Sequence, residues 1–92
     1  MKVKNLNGTA ELSCKCSSWL EHWSKFTGKN RNTCSNVFCF SDDIIGAHVQ
    51  KYNLLDNKWY IVPLCKKCNK SDSIIDINDV ELVPANVNNT CG

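Results

Sequence analysis

The amino-acid sequence predicts one small α+β domain, spanning residues 1–92, that depends on a bound metal ion or on cross-links for stability. Its 92 residues are enough for one hydrophobic core and too few for two. Seven of them are cysteines, a density at which small domains are commonly held together by disulfides or metal. One helical pattern and one pair of strand-like segments supply the two kinds of secondary structure.

The first regular element that the sequence predicts is a short helix over residues 17–25. Its apolar side chains recur with helical spacing and would share one face, and they are Trp19, Trp23 and Phe26. Ser18 is followed three residues later by Glu21, which matches a capping box at a helix start. Gly28 is then the expected terminator. This helix precedes the rest of the domain as an extra N-terminal element.

A β-hairpin follows in the central part of the chain. Residues 44–52 and 58–64 are rich in Ile, Val, Trp and Tyr, and residues 56–58 supply turn material between them. Pro63 lacks a backbone N–H, so we expect the second strand to end there.

The remaining segments carry weaker signals. Residues 1–13 hold few large apolar side chains, so we expect a loose N-terminal arm. Residues 66–71 predict a helical turn or a short helix. The short apolar runs between residues 74 and 83 predict either a last strand or a packed loop.

Four of the cysteines form two closely spaced pairs, Cys34 with Cys39 and Cys65 with Cys68. Thiolates two to four residues apart can converge on one tetrahedral Zn²⁺, and two such pairs complete its four-ligand shell. Twenty-five residues lie between Cys39 and Cys65, which is enough for the hairpin. A treble-clef zinc module has this layout: a tight loop with the first cysteine pair, called a knuckle, then a β-hairpin, then a second cysteine pair at the start of a helix. The alternatives are buried thiols or a redox Cys-x-x-Cys, although the βαβ context of the latter is missing.

The three other cysteines, with one histidine, predict a second zinc site. Cys14, Cys16 and Cys91 together with His22 would complete another tetrahedral shell. His48 can take the place of His22 in this grouping. The alternatives are a disulfide between Cys14 and Cys91, free thiols, and a His22 that packs beside the aromatic side chains of its helix.

Two stretches carry a resemblance to a known family. They are Gly-Ala-His-Val at residues 46–49 and Tyr-Ile-Val-Pro-Leu-Cys-Lys-Lys-Cys-Asn at residues 60–69. On these residues, the segment 34–70 resembles the HNH nuclease module, a ββα-metal fold whose zinc-stapled forms carry a cysteine pair on each side of the hairpin. The whole chain also resembles small bacterial HNH-like proteins that open with Cys-x-Cys and Trp-Leu-x-His-Trp. This likeness implies a fold and zinc, and no established activity.

The resemblance also implies candidate catalytic residues. His48 stands where HNH enzymes carry the general base that activates water against a phosphodiester, and Asn69 stands where the last histidine of the motif lies. Ala47 occupies a position that often helps to hold the catalytic ion, and an alanine cannot ligate a metal. Tyr60 stands where the middle asparagine is usual, with Asn53 and Asn57 as substitutes in the turn. The sequence therefore favours a zinc-stabilised binding or interaction module, with a divergent HNH endonuclease as the alternative.

Charge and hydropathy bear on the partner and the compartment. Lysines next to the second cysteine pair and on the hairpin suggest a basic edge for nucleic acid; they are Lys51, Lys58, Lys66, Lys67 and Lys70. Trp59 and Tyr60 could stack on bases. The net charge is only +2, which favours an ordinary solvated surface for the lysines and core positions for the two aromatic residues. The chain shows neither a membrane span nor a secretory signal, so we expect a cytoplasmic protein.

Overall fold

The computed structural model describes residues 1–6, 18–52, 58–71, 73–77 and 80–85. Its strands and helices, in chain order, are β1 (Lys2–Asn5), α1 (Trp19–Thr27), β2 (Ile44–Lys51), β3 (Tyr60–Cys65), α2 (Lys66–Asn69), β4 (Ile74–Asp76) and β5 (Val83–Pro84). The strands form one antiparallel sheet with the order β4-β1-β2-β3-β5. The predicted α+β class is confirmed at this level.

The predicted hairpin is the centre of the sheet. β2 and β3 pair in a continuous register from Ile44 opposite Cys65 to Val49 opposite Tyr60. The expectation that the second strand ends at Pro63 was wrong, because β3 continues to Cys65. The backbone N–H of Ser35 donates to the Pro63 carbonyl at 3.0 Å. The Pro63 carbonyl and backbone nitrogen therefore both face away from β2. Its missing N–H therefore removes no hydrogen bond from the hairpin.

The expectation of a loose N-terminal arm was wrong for residues 2–5, which form β1. This strand lies between β2 and β4, with Val3 opposite both Lys51 and Ile75. Val3 is fully buried. One valine in a polar stretch gives too little periodicity to indicate a strand, and its pairing partners are far along the chain.

Helix α1 has the capping residues that the sequence predicts, although it runs over Trp19–Thr27 and not over residues 17–25. The Ser18 hydroxyl accepts a hydrogen bond from the Glu21 backbone N–H at 3.1 Å. Gly28 ends the helix in the left-handed conformation, with φ of 70°. The buried face differs from the prediction, because Phe26 is 46% exposed whereas His22 is fully buried beside Trp23.

The sheet separates two environments. Side chains alternate along a strand, and α1 packs on the side that carries Gly46, His48 and Ile61, which we call the α1 face. A Cβ atom at Gly46 would overlap backbone atoms of Trp19 and Leu20, so the helix lies directly against β2. The opposite side, which we call the cysteine face, forms a core with buried cysteines. Its apolar sheet residues are Val3, Ala47, Val49, Val62, Leu64 and Ile75.

Candidate metal centre

The two cysteine pairs meet on the cysteine face. Cys34 and Cys39 lie in the segment between α1 and β2, Cys65 ends β3, and Cys68 lies in α2. Their four sulfur atoms all lie within 4.8 Å of one another. Cys34, Cys65 and Cys68 are buried, and Cys39 is partly exposed. Residues that are 34 positions apart in sequence thus form one compact group.

One distance between the sulfur atoms matches the distance expected around a tetrahedral ion. The Sγ atoms of Cys39 and Cys65 are 3.7 Å apart. Four sulfurs at the usual Zn–S distance of about 2.3 Å would be roughly 3.8 Å from one another, whereas a disulfide bond is only about 2.05 Å long. A shell of four thiolates is the donor set of structural zinc sites. The group could therefore hold a zinc ion.

Backbone and amide N–H groups point at the sulfur atoms. The Cys65 N–H donates to the Cys34 Sγ at 3.2 Å, and the Cys68 N–H donates to the Cys65 Sγ at 3.4 Å. The side-chain amide of Asn36 donates to the Cys68 Sγ at 3.5 Å. Because an N–H dipole stabilises negative charge on sulfur, these contacts suit thiolate ligands of a cation.

The thiols differ in their acidity. Hydrogen bonds from the Ser41 backbone and then from its side chain lower the pKa of Cys39 to about 7. Burial raises the pKa of Cys34, and burial raises the pKa of Cys68 to about 12. Buried thiols of this kind stay protonated near neutral pH unless a cation draws off their protons. The environment of Cys34 and Cys68 thus suits a metal site better than a reactive thiol.

Hydrogen bonds also fix the loop that carries the first pair. The Cys34 N–H donates to the Ser41 carbonyl at 2.9 Å, which closes the loop around Cys39. The Cys39 N–H donates to the Asn36 carbonyl at 3.0 Å. Together with the bond from Ser35 to Pro63, these contacts hold the loop against β3. Backbone hydrogen bonds therefore set the position of the first cysteine pair.

The two histidines lie apart from the four cysteines. His48 and His22 both contact Trp19 on the α1 face, with ring centroids 4.5 Å and 5.0 Å from it. The His22 Nε2 lies 3.2 Å from the Pro84 carbonyl. Burial lowers the pKa of His48, and the nearby His22 lowers it further. Cys14, Cys16 and Cys91 lie outside the described residues, so the second zinc site stays a prediction.

The two catalytic candidates, His48 and Asn69, have different surroundings. The side chain of Asn5 donates to the Asn69 carbonyl. Asn5 is paired with Val49 and so shares the cysteine face with it. His48 is the neighbour of Val49 in β2 and points to the opposite face. His48 is also only 4% exposed.

The aromatic residues at the surface differ partly from the expected ones. Trp59 is 43% exposed and Tyr60 is half-buried, with the Lys51 Nζ 5.0 Å from the centroid of the Tyr60 ring. Phe38 and Phe40 are each 85% exposed. They flank Cys39, and they are not among the surface residues that the sequence predicts. Their position next to Cys39 could have indicated exposure, because side chains on either side of a metal ligand in a tight loop cannot both pack into the core.

Comparisons with protein-family models, with curated proteins and with solved structures found no match to this chain. Among the residues that the structure describes, neither helix is long and apolar enough to cross a membrane. What the residues establish is a small α+β fold with a four-cysteine group that could hold a metal ion.

Proposed function

We propose that the chain is a zinc-stabilised binding module in which one Zn²⁺ is held by Cys34, Cys39, Cys65 and Cys68. The observation that carries this proposal is the convergence of four sulfur atoms to within 4.8 Å. Zinc has no redox chemistry of its own, and four protein ligands leave no open position for a substrate. The metal in such a site is structural, and the function belongs to the surface that it stabilises.

The treble-clef arrangement is part of the same proposal. It is supported by the order of the elements, because the first pair lies in a loop, the β2–β3 hairpin follows, and the second pair opens a helix. Cys65 is both the last residue of β3 and the N-cap of α2, where its sulfur accepts the Cys68 N–H. The HNH-like ancestry suggested by the sequence is proposed for this framework only.

The metal has an energetic role that a chain of this size needs. Folded domains are stable by roughly 0.05–0.15 kcal/mol per residue, which is about 5–14 kcal/mol for this length. Structural zinc contributes about 10–16 kcal/mol of binding free energy. Three of the four cysteines are part of the larger buried core. Losing the ion would therefore remove a contribution as large as the whole stability of the domain.

The position of His48 favours binding over catalysis. A general base has to come within hydrogen-bonding distance of the water or hydroxyl that it deprotonates. His48 is buried beneath Trp19, on the face of the sheet opposite to Asn5, whose side chain donates to the Asn69 carbonyl. The endonuclease alternative predicts nicking of plasmid DNA with Mg²⁺, Mn²⁺ or Ni²⁺ that is lost in His48→Ala. We expect no nicking from the wild type, and nicking that depends on His48 would replace this proposal.

The direct test is to count metal ions and remove them. We expect native mass spectrometry to show zinc at the four-cysteine site, and we expect a strong chelator to abolish the folded circular dichroism spectrum. Cys39→Ala should lose this zinc, whereas Cys39→His should retain it, because a shell of three cysteines and one histidine also binds zinc. Lys67→Ala, an exposed change next to Cys68, is the control. An unchanged spectrum and melting temperature in metal-free protein would refute the proposal.

A further inference from the structure

The surface around Cys39 combines exposed aromatic rings with cationic side chains. We call it the knuckle surface, and its residues are Arg31, Phe38, Phe40, Lys66 and Lys67. Phe38 and Phe40 are each 85% exposed, although Phe is among the residue types that are most often buried. Exposed aromatic side chains that flank a fixed point of the fold are typical of interaction sites.

Arg31 is held in place and lines the same cleft as Phe40. Its Nε donates to the Thr33 carbonyl at 2.9 Å, and its Nη2 donates to the Cys34 carbonyl at 3.3 Å. A guanidinium group has five N–H donors, so three are left over from these two bonds. A cation that is already fixed loses less conformational freedom when it binds an anion.

A cleft of about 340 Å³ lies between these groups, and its walls include Arg31, Ser35 and Phe40. The Ser35 side chain is only 1% exposed, and its hydroxyl has no hydrogen-bond partner within the described part of the chain. Buried hydroxyl groups normally have a partner. The Ser35 hydroxyl is itself buried, so the groups that the cleft presents are a fixed guanidinium and one exposed aromatic ring.

Two lysines extend the positive charge from this cleft. Lys66 and Lys67 are exposed and lie in α2 between Cys65 and Cys68. The Cys65 Sγ is 3.7 Å from the Cys39 Sγ. The two phenylalanines and the two lysines each directly precede or follow a cysteine of the group, so their Cα atoms are about 3.8 Å from that of the cysteine. The rings and the lysines thus lie within a few nucleotide lengths of one another. Asp42 and Asp43 lie shortly after Phe40 in the chain and are exposed. Because their carboxylates repel phosphate groups, a bound anionic strand would lie toward Lys66 and Lys67.

We propose that the knuckle surface binds single-stranded nucleic acid, with Phe38 and Phe40 stacking on bases and with Arg31, Lys66 and Lys67 contacting phosphates. Aromatic rings beside a positively charged groove are the features by which proteins bind unpaired strands. The faces of paired bases are covered in a duplex, so the rings favour a single strand. The inference rests on the proposed function, because the zinc would hold Phe38 and Phe40 in place through Cys39.

The test uses zinc-loaded full-length protein and a fluorescein-labelled oligothymidylate of about twelve nucleotides, which fits the usual site sizes. Fluorescence anisotropy should report binding at low salt. Loss of one stacked base costs about 5- to 150-fold in affinity, so Phe38→Ala with Phe40→Ala should weaken binding at least tenfold. Phe26→Ala, which removes a half-exposed ring from α1 on the opposite face, is the matched control and should change the affinity less than twofold.

Salt dependence tests the phosphate contacts separately. For a single strand the logarithm of the affinity falls with the logarithm of the salt concentration with a slope of about −0.7 per phosphate contact. Three cations predict a slope near −2, and Lys66→Gln or Lys67→Gln should each reduce it by about 0.7. Lys25→Gln on α1 is the matched control and should leave the slope unchanged.

Each unfavourable outcome has a definite meaning. A folded protein with zinc bound that does not bind the oligonucleotide, or that binds it equally well without Phe38 and Phe40, would overturn this inference and leave the proposed function intact. Tighter binding to the matching duplex would also overturn it, because stacking requires unpaired bases. A protein that folds without zinc would contradict the proposed function instead. Zinc content and circular dichroism are therefore measured on every variant.

Discussion

Replacing Gly46 by alanine should weaken the packing of α1 on the sheet and leave the four-cysteine group intact. Gly46 is in the middle of β2, opposite Pro63. The added Cβ would overlap the backbone of Trp19 and Leu20 and also the Trp19 side-chain Cβ. Because two of these contacts are with helix backbone, a rotation of one side chain cannot relieve them. The start of α1 would have to move away from β2.

The size of the effect follows from two opposing contributions. Adding a methyl group to a well-packed site costs about 1–3 kcal/mol, and overlap with backbone places this site at the upper end. Removing a glycine from a strand interior returns about 0.5–1 kcal/mol. The net loss is about 2 kcal/mol, and for a domain of this size each kcal/mol lowers the melting temperature by about 4–8 °C. We therefore expect Gly46→Ala to melt about 8–16 °C below the wild type.

The assay is thermal unfolding of the zinc-loaded protein, followed by circular dichroism, with metal counted by mass spectrometry. Gly28→Ala is the comparison for backbone strain without a clash, because a Cβ at Gly28 would meet nothing within 4 Å and the cost of about 1–2 kcal/mol comes only from its positive φ of 70°. A melting temperature for Gly46→Ala within about 2 °C of the wild type would refute the packing argument. Loss of zinc in Gly46→Ala would show that the two faces of the sheet are not independent.

Two further predictions concern acidity and metal affinity. The folded-state pKa of His48 lies below its usual value of about 6.5, so between these two pKa values the unfolded chain binds more protons than the folded one. The free energy of unfolding should therefore fall as the pH drops through 6.5, by at most about 1.4 kcal/mol per pH unit. Urea unfolding at pH values on both sides of 6.5 would measure this loss, and His48→Gln should be less sensitive to pH; equal sensitivity would contradict the assignment. Asn36→Ala should weaken zinc binding about 10- to 100-fold in competition with a chelator, because it removes the amide that donates to Cys68. The exposed control Asn30→Ala should not, and equal affinities would mean that this hydrogen bond does not support the site.

Local signals in the sequence were reliable guides to several elements. Ser18 and Gly28 marked the ends of α1 because capping depends on the side chain or backbone freedom of one residue. The hairpin followed from its β-branched composition, and the spacing within each cysteine pair indicated that the pairs could share one ion. These features depend on residues that are close in sequence or on the chemistry of one ligand type.

Features that depend on distant contacts were not predictable in the same way. β1 owes its place to pairing with β2 and β4, and its own residues give little indication of a strand. The side of the sheet to which His48 points depends on where α1 packs, which a motif along the chain cannot reveal. The exposure of Phe38 and Phe40 likewise depends on the tight loop around Cys39. The sequence offered only Trp59 and Tyr60 as candidate stacking residues, and it favoured core positions for them.

The position of β1 in the sheet has a consequence for the order in which the protein can assemble during synthesis. Of the five described strands this one is synthesised first, yet its two neighbours are residues 44–51 and 74–76. Until those residues have emerged, the backbone donors and acceptors of β1 have no strand to pair with. The hairpin and the two cysteine pairs are complete by residue 68, so metal capture can precede closure of the sheet. Of these five strands, β1 is therefore synthesised first but is among the last to complete its pairing.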